Sequence, residues 1–473
     1  MGRLHVSVVA ITALLLTSCA TTLQGNAVSV FNDPFRVAGL PAVDGPTGLR
    51  DDAAEPSRDV DNTDGSRIDE LARSSVSDIE EFWSQAFGEA FDDEFTPIDA
   101  LISWDSTRYD DAEFCGGDTI GLVNAGYCYD ENTIGWDRGE LLPSLREANG
   151  DMAVTMVLAH EYGHSVQFQS QGRSLGMPVL VREQQADCLA GVYMRWVAEG
   201  KSSRFTLSTG DGLNSLLAAM IAFRDPVLME GDYEPGANEH GSAFERVSAF
   251  QFGFTDGAGS CAAIDLKEIN QRRGDLPVLL PEDETGELPV TEDSVRSIVE
   301  AMDAVFQPAE TPEVGFDAAD CPDARSGGAA SYCPGTNTII VDLPALQELG
   351  TQSVDGGVVT GDNTAYSVVV SRFTQALQKE RGGLALDTAK AALRTACLTG
   401  VATTKMTDEI STPSGTTIKL TAGDVDEAVS GLLVNGLVAS DVNGDSVPSG
   451  FSRIDAFRVG VLGDEDRCFG RFD

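Results

Sequence analysis

Between Arg67 and Phe91 the apolar residues Ile68, Leu71, Val76, Ile79, Phe82, Trp83 and Phe87 recur at helical spacing and predict one amphipathic helix. The pattern then becomes strand-like, from Ile98 to Trp104 and in a Cys115 to Asp137 region broken by Gly116-Gly117 and Asn124-Ala-Gly126. A helix is predicted from Asp151, a good N-cap, to Gly172, which can take the left-handed conformation that ends a helix. Further helical runs follow over Val179 to Glu199 and Asp211 to Phe223, then from the His240-Gly-Ser-Ala-Phe-Glu-Arg246 stretch towards Cys261. Upstream of Arg67 there is no such period. Residues 19–66 are rich in Gly, Pro, Asp, Ser and Ala and predict a disordered acidic tether. Residues 274–292 predict a polar linker.

Beyond that linker the pattern returns. Cys128-Tyr-Asp-Glu-Asn-Thr-Ile-Gly-Trp-Asp137 aligns with Cys333-Pro-Gly-Thr-Asn-Thr-Ile-Ile-Val-Asp342, and Cys188-Leu-Ala-Gly-Val192 with Cys397-Leu-Thr-Gly-Val401. Ser242 to Phe250 aligns with Ser449 to Phe457, continuing through Gly253/Gly460 to Cys261/Cys468. Three matches in order at nearly constant offset predict a tandem duplication, with domains at 67–273 and 293–473. The expected fold class is α+β, mainly helical with a small sheet in each copy. The copies also constrain the cysteines, since each half carries four in matching places. The consistent pairing is Cys115–Cys128 with Cys321–Cys333, and Cys188–Cys261 with Cys397–Cys468.

Those disulfides need an oxidising compartment, and the N-terminus supplies a route to one. A basic start at Arg3 and an apolar run from Val6 to Leu16, too short to span a bilayer, predict a signal peptide over residues 1–18. It ends in Leu16-Thr-Ser-Cys19, which resembles a bacterial lipobox and makes Cys19 the expected lipidation site. The alternative is an ordinary secretory signal with an incidental cysteine. Either way the protein is expected to be exported, and the lipobox reading anchors it on the outer face of the cytoplasmic membrane or the cell envelope. The net charge of −43 argues against nucleic acid and anionic lipid surfaces as partners. Spread along the chain, that acid reads as a solubilising surface and says little about substrate.

The chemistry is concentrated on the helix predicted from Asp151. His160 and His164 project from one face and can share a cation, while Glu161 stands beside them. This H-E-x-x-H arrangement provides two zinc ligands and a carboxylate able to take a proton from water. The motif alone also fits a solvated helix face. Glu183, on the next helix, can complete a His2Glu site with a fourth position open, and Asp187 one turn on is placed to accept the outer N–H of a ligand histidine. Gly163 costs such a helix about 1 kcal/mol relative to alanine, and it fits close approach by another backbone.

The second copy serves as an internal control. There His160, Glu161 and His164 are replaced by Ser371, Arg372 and Gln375, Glu183 by Ala392 and Asp187 by Ala396. No histidine occurs after residue 240, so that half cannot hold this site. Residues kept in both halves, among them Asn132/Asn337, Arg246/Arg453 and Phe250/Phe457, are expected to have structural roles. His240, opposite Val447, reads either as an oxyanion or proton-donating group or as a surface histidine.

The stretches His160-Glu-Tyr-Gly-His164, Glu183-Gln-Gln-Ala-Asp187-Cys188-Leu-Ala-Gly-Val192 and His240 to Arg246 together resemble the neutral zinc metallopeptidases of bacteria, in that family's order over most of residues 68–262. The resemblance implies a zincin-like α+β domain, Zn2+ held by His160, His164 and Glu183, Glu161 as catalytic base, and a peptide or protein substrate. The second, metal-less copy departs from the family's simplest pattern. The rival reading is a non-catalytic, lipid-anchored binding scaffold with a structural zinc.

Overall fold

Residues 33–66 lack an apolar period, yet they pack on the folded body and correct the expectation of a disordered tether there. The computed structural model describes residues 33–473 apart from 110, 172–175, 233–239, 283–284 and 356–357. The signal peptide, Cys19 and Gly172 lie outside the described residues. β1 (Arg36–Val37) and β2 (Leu40–Pro41) form a small antiparallel pair, and β3 (Gly48–Leu49) pairs with Phe205–Thr206, which is β9. Val37 is fully buried. Arg58 spans to Glu80 Oε1 at 2.8 Å and to the Ile98 carbonyl at 2.8 Å. Composition undercounts such a segment because few apolar side chains and many backbone and side-chain hydrogen bonds suffice to hold it.

The period between Arg67 and Phe91 gives a helix with those bounds, α1 (Arg67–Phe91), capped by Ser66 through Asp69 N. A three-stranded sheet follows: β4 (Ala100–Trp104), β7 (Ala125–Cys128) and β8 (Thr133–Asp137) in the order β4-β8-β7. β4 runs parallel to β8 and β7 antiparallel to it. Between them lies the hairpin β5 (Glu113–Phe114) and β6 (Gly117–Asp118). Helices α2 (Leu141–Asn149) and α3 (Asp151–Gln171) are separated only by Gly150. Asp151 therefore opens α3 from within rather than capping it, and its carboxylate pairs with Arg146 Nε at 2.7 Å. Then come α4 (Val179–Ala198), α5 (Asp211–Ala222), α6 (Ala243–Asp256), α7 (Ala258–Ala262) and α8 (Leu266–Arg273). The Ser242/Glu245 capping box starts α6. The 274–292 linker is likewise partly held, with β10 (Leu228–Met229) parallel to β11 (Leu279–Leu280) within it.

The second half follows the same order. α9 (Glu292–Phe306) precedes a sheet of β12 (Glu313–Gly315), β13 (Ala330–Cys333) and β14 (Thr338–Val341), arranged β12-β14-β13 with the same parallel and antiparallel pairings. After α10 (Leu343–Leu349) come α11 (Asp362–Arg381), α12 (Ala389–Lys405), α13 (Asp424–Val434), α14 (Gly450–Val461) and α15 (Glu465–Arg471). All four disulfides form as the sequence predicts: Cys115–Cys128, Cys188–Cys261, Cys321–Cys333 and Cys397–Cys468. Asn132 and Asn337 turn the matching hairpins with φ of 49° and 52°, and each accepts from a strand tyrosine, Tyr127 or Tyr332. These are the structural roles expected of residues kept in both halves. The described residues form an α+β protein, about half helical with small sheets.

Close helix crossings fix where the site falls. A Cβ on Gly163 of α3 would meet Ala186 O of α4 at 3.0 Å, so the expected backbone approach is present. On α6, a Cβ on Gly253 would collide with the Cys188 carbonyl of α4, and Gly460 repeats that contact against Cys397. Cys188 is tied to Cys261, so α4 has little freedom to yield. We expect Gly253→Ala to destabilise the chain by about 1–3 kcal/mol or more, read from denaturant melts. Unchanged stability would mean that the α4–α6 crossing has room for a methyl group at Gly253.

The halves share one hydrophobic core. Across their boundary Gln251 Nε2 donates to Phe451 O at 2.9 Å, Phe254 lies 5.1 Å from Phe451 between ring centroids, and Asp426 accepts from Phe244 N at 3.3 Å. Among the described residues no helix is long and apolar enough to cross a membrane.

Candidate metal centre

α3 is buried along most of its length, and its crossing with α4 at Gly163/Ala186 brings Glu183 over the His160–His164 face. Glu183 Oε2 lies 3.1 Å from His160 Nε2 and 3.4 Å from His164 Nε2. Ligand atoms of the three residues all lie within 4.8 Å of one another. Donors about 2.0–2.2 Å from a tetrahedral zinc stand roughly 3.3–3.5 Å apart, so two nitrogens and a carboxylate oxygen at these separations suit the ion.

The outer nitrogens of both histidines are occupied, which leaves Nε2 facing the trio. His160 Nδ1 is 2.8 Å from Asp187 Oδ1, as predicted, and His164 Nδ1 is 3.0 Å from Gln167 Oε1. Gln167 in turn donates to Arg182 O and Gln185 Oε1. Asp187 is fully buried and receives a forked pair from Arg246: Nε to Oδ2 at 2.8 Å and Nη2 to Oδ1 at 2.7 Å. Arg246 also donates from Nη1 to Phe223 O. Its structural role thus reaches the site through Asp187. In the second half Arg453, with Ala396 at the matching place, turns to Leu433 O and Pro448 O instead.

Glu161 lies outside the trio. Its Oε2 accepts from Tyr127 N on β7 at 3.0 Å, and no hydrogen bond among the described residues takes Oε1. Burial pushes its carboxyl above the usual range against the pull of His160 and His164. Burial acts on Glu183 in the same direction, but its hydrogen bonds with His160 and His164 hold it far below that range. Burial also opposes ionisation of Asp187, yet the Arg246 guanidinium brings it to about 2. For His160 burial disfavours the imidazolium, while Asp187 and the neighbouring carboxylates outweigh it and raise the group to about 10 without a metal. That concentration of acid is what a dication would neutralise.

His240 stands at the open side of the trio. Its Nε2 is 3.6 Å from Glu183 Oε2, its ring centroid 6.3 Å from that of His160, and 44% of its side chain is exposed. Asp225 holds the backbone there, accepting from His240 N at 3.1 Å and Gly241 N at 2.7 Å. His160, His164, Glu183, Asp187, Glu161 and His240 therefore meet in one place. Sequence reasoning missed Gln167, Tyr127, Asp225 and Tyr129, whose ring centroid is 6.5 Å from that of His164. Gln167 could have been found, being one turn from His164. The others come from separate elements and leave no local signal.

The second half fills the equivalent space. Buried Arg372, in the place of Glu161, donates from Nε to Ala330 O on β13 at 3.0 Å and from Nη1 to Ser440 Oγ at 2.8 Å. Gln375, opposite His164, donates to Ser440 O. Where the first half has a carboxylate accepting from a strand N–H, the second has a guanidinium donating to a strand carbonyl.

Residues 22–264 match the family described as "Putative neutral zinc metallopeptidase". The chain is also similar to the "Uncharacterized protein YpfJ" of Escherichia coli strain K12 and of Escherichia coli O6:H1. Each is 34% identical over 131 residues, covering 23% of this chain and 42% of the relative. The chain thus matches less than half the length of those relatives. No solved structure matches it.

Proposed function

The chain belongs to the neutral zinc metallopeptidase family, and from that premise we propose that it is an exported, lipid-anchored zinc peptidase that hydrolyses peptide bonds. The observation that carries this reading is Glu161, a buried carboxylate beside the ligand trio and outside it, pinned through one oxygen by Tyr127 N with the other uncommitted. A purely structural zinc has no use for such a group. When bound by His160, His164 and Glu183, zinc supplies Lewis acidity for the scissile carbonyl and lowers the pKa of water. With zinc bound, Glu161 would take a proton from the attacking water at its free oxygen and deliver it to the leaving amine as the C–N bond breaks. His240, half-exposed at the mouth, donates a hydrogen bond to the oxygen that gains charge. Asp187, clamped by Arg246, keeps the His160 ring in register. The disulfides fit an extracytoplasmic location.

We further infer that the second half arose by duplication and lost its site. The matched element order, disulfides and glycine contacts support that reading, and Arg372 explains how the vacated space is filled. Because the halves share a core, the second acts as a fixed wall beside the first and needs no zinc of its own.

The test is metal analysis of the full-length protein followed by a peptide-library digest. One zinc per chain is expected, with cleavage abolished by chelation and restored by zinc. A zinc-loaded protein that cuts nothing would favour the scaffold reading. His240→Ala should keep its zinc and lower kcat by about 10–1,000-fold with a smaller change in KM, as for loss of one oxyanion donor. Unchanged kcat would return His240 to the surface-histidine reading.

A further inference from the structure

The first turn of α11, the helix that corresponds to the zinc-ligand helix, carries a second cluster of acids. Carboxylate oxygens of Glu287, Asp362 and Glu427 all lie within 4.8 Å of one another. Asp424, one turn before Glu427 on α13, adds a fourth charge to the same patch. Asp362, Asp424 and Glu427 are 7%, 8% and 5% exposed. Among the described residues no lysine or arginine forms an ion pair with Asp362, Asp424 or Glu427, and the leading charges acting on them are one another and Glu287.

Part of the cluster has an ordinary explanation. The N-cap of α11 is Gly361, which has no side chain, and the first N–H groups of the helix, those of Asp362 and Asn363, donate to Glu287 Oε2 at 3.2 Å and Glu427 Oε2 at 2.9 Å. Capping does not account for Asp362. Its Oδ2 accepts from Leu288 N, but its Oδ1 is sealed from solvent with no hydrogen-bond partner. An unpaired buried acceptor is costly, and several buried carboxylates together are more so. Such groups can coexist only by retaining protons or by sharing a cation. Burial first, and repulsion from Asp424 and Asp362 next, push Glu427 to about 9, while burial pushes Asp424 to about 8 against the hydrogen bond from Thr421 N.

We propose that Glu287, Asp362 and Glu427, with Asp424 alongside, bind one hard divalent cation of the calcium class. An all-oxygen donor set selects a hard ion, and oxygens 2.3–2.6 Å from a shared Ca2+ stand no more than about 5 Å apart, in keeping with the cluster. Magnesium is less suited, because it demands near-ideal octahedral geometry, whereas calcium accepts an irregular set of mono- and bidentate carboxylates completed by water. The consequence is a staple. Glu287 belongs to the segment joining the halves, which Tyr366 of α11 also grips through Leu288 O and Pro289 O. A cation there fastens that connector to α11 and α13, independently of the zinc site.

The experiment is calorimetric titration of the full-length, zinc-loaded protein with calcium chloride, alongside thermal melts with and without calcium. One site is expected, with Kd about 10⁻⁴–10⁻³ M or tighter, together with a raised Tm. Asp362→Asn and Glu427→Gln should each weaken binding at least about tenfold and remove the Tm shift. Glu287→Gln, at a less buried position, replaces either variant that fails to fold. His160→Ala should still bind calcium, which separates this site from the zinc centre. Absence of calcium-dependent heat and Tm change in the unmodified protein, or undiminished binding by the amide variants, overturns the proposal. Amide variants more stable than the unmodified protein, with calcium inert towards both, would identify the cluster as proton-sharing carboxyls.

Discussion

Glu161→Gln should leave zinc content at one per chain and reduce peptide hydrolysis by about 10²–10⁴-fold, the usual contribution of a positioned general base. The argument is geometric. Glutamine keeps the length of the side chain and an oxygen able to accept from Tyr127 N, so the link between α3 and β7 survives. What disappears is the ability to hold a proton. The ligand atoms of His160, His164 and Glu183 are untouched, because Glu161 stands outside the trio. His160→Ala, by contrast, should lose both metal and activity. Zinc content by mass spectrometry and turnover of a cleaved library peptide check both variants. Comparable metal loss in the two would show that Glu161 is a ligand and that its assigned role is wrong.

Asp187→Ala should cost about 3–5 kcal/mol of stability and weaken zinc binding about 10–100-fold. Two effects meet at this residue. Its removal strands the Arg246 guanidinium in the core, where Phe223 O is its other hydrogen-bond partner among the described residues, and leaves His160 Nδ1 without the carboxylate that fixes the ring. They can be separated. A paired Asp187→Leu, Arg246→Met chain removes both charges and should recover much of the stability, since a buried ion pair is often replaceable by apolar groups. It should not recover zinc affinity, because His160 is still unheld. Denaturant melts and zinc competition with a chelating dye give the two readings. Recovery of both together would reduce Asp187 to a packing role.

How much of this was legible beforehand depends on how local each signal is. The bounds of α1 could be read because its apolar residues recur through the whole helix, and the start of α4 because the Val179 run opens there. The candidate ligands on α3 are local too, four residues apart on one helix, and the matching placement of four cysteines in each half specified all four disulfides. Asp151 was misread because a cap is defined by backbone conformation, and Gly150 let α2 run almost directly into α3.

The sequence by itself determined the helical periods of α1, α3 and α4, the cysteine pairing, the candidate ligand residues and their absence from the second half, since each is carried by spacing within one segment or by comparison of two. Only the tertiary structure decided the rest. It placed residues 33–66 on the body through hydrogen bonds to Ile98, Glu80 and the Phe205 strand, none of which has a periodic signature. It joined the halves into one core, turned Arg246 onto Asp187, and filled the empty second site with Arg372. It also gathered Glu287, Asp362 and Glu427 from three segments into one buried cluster. The physical reason is common to all of these. A hydrogen bond or an ion pair between distant segments depends on where the packed helices carry its partners, and that position is set by crossings such as Gly253 against Cys188, not by the residues on either side.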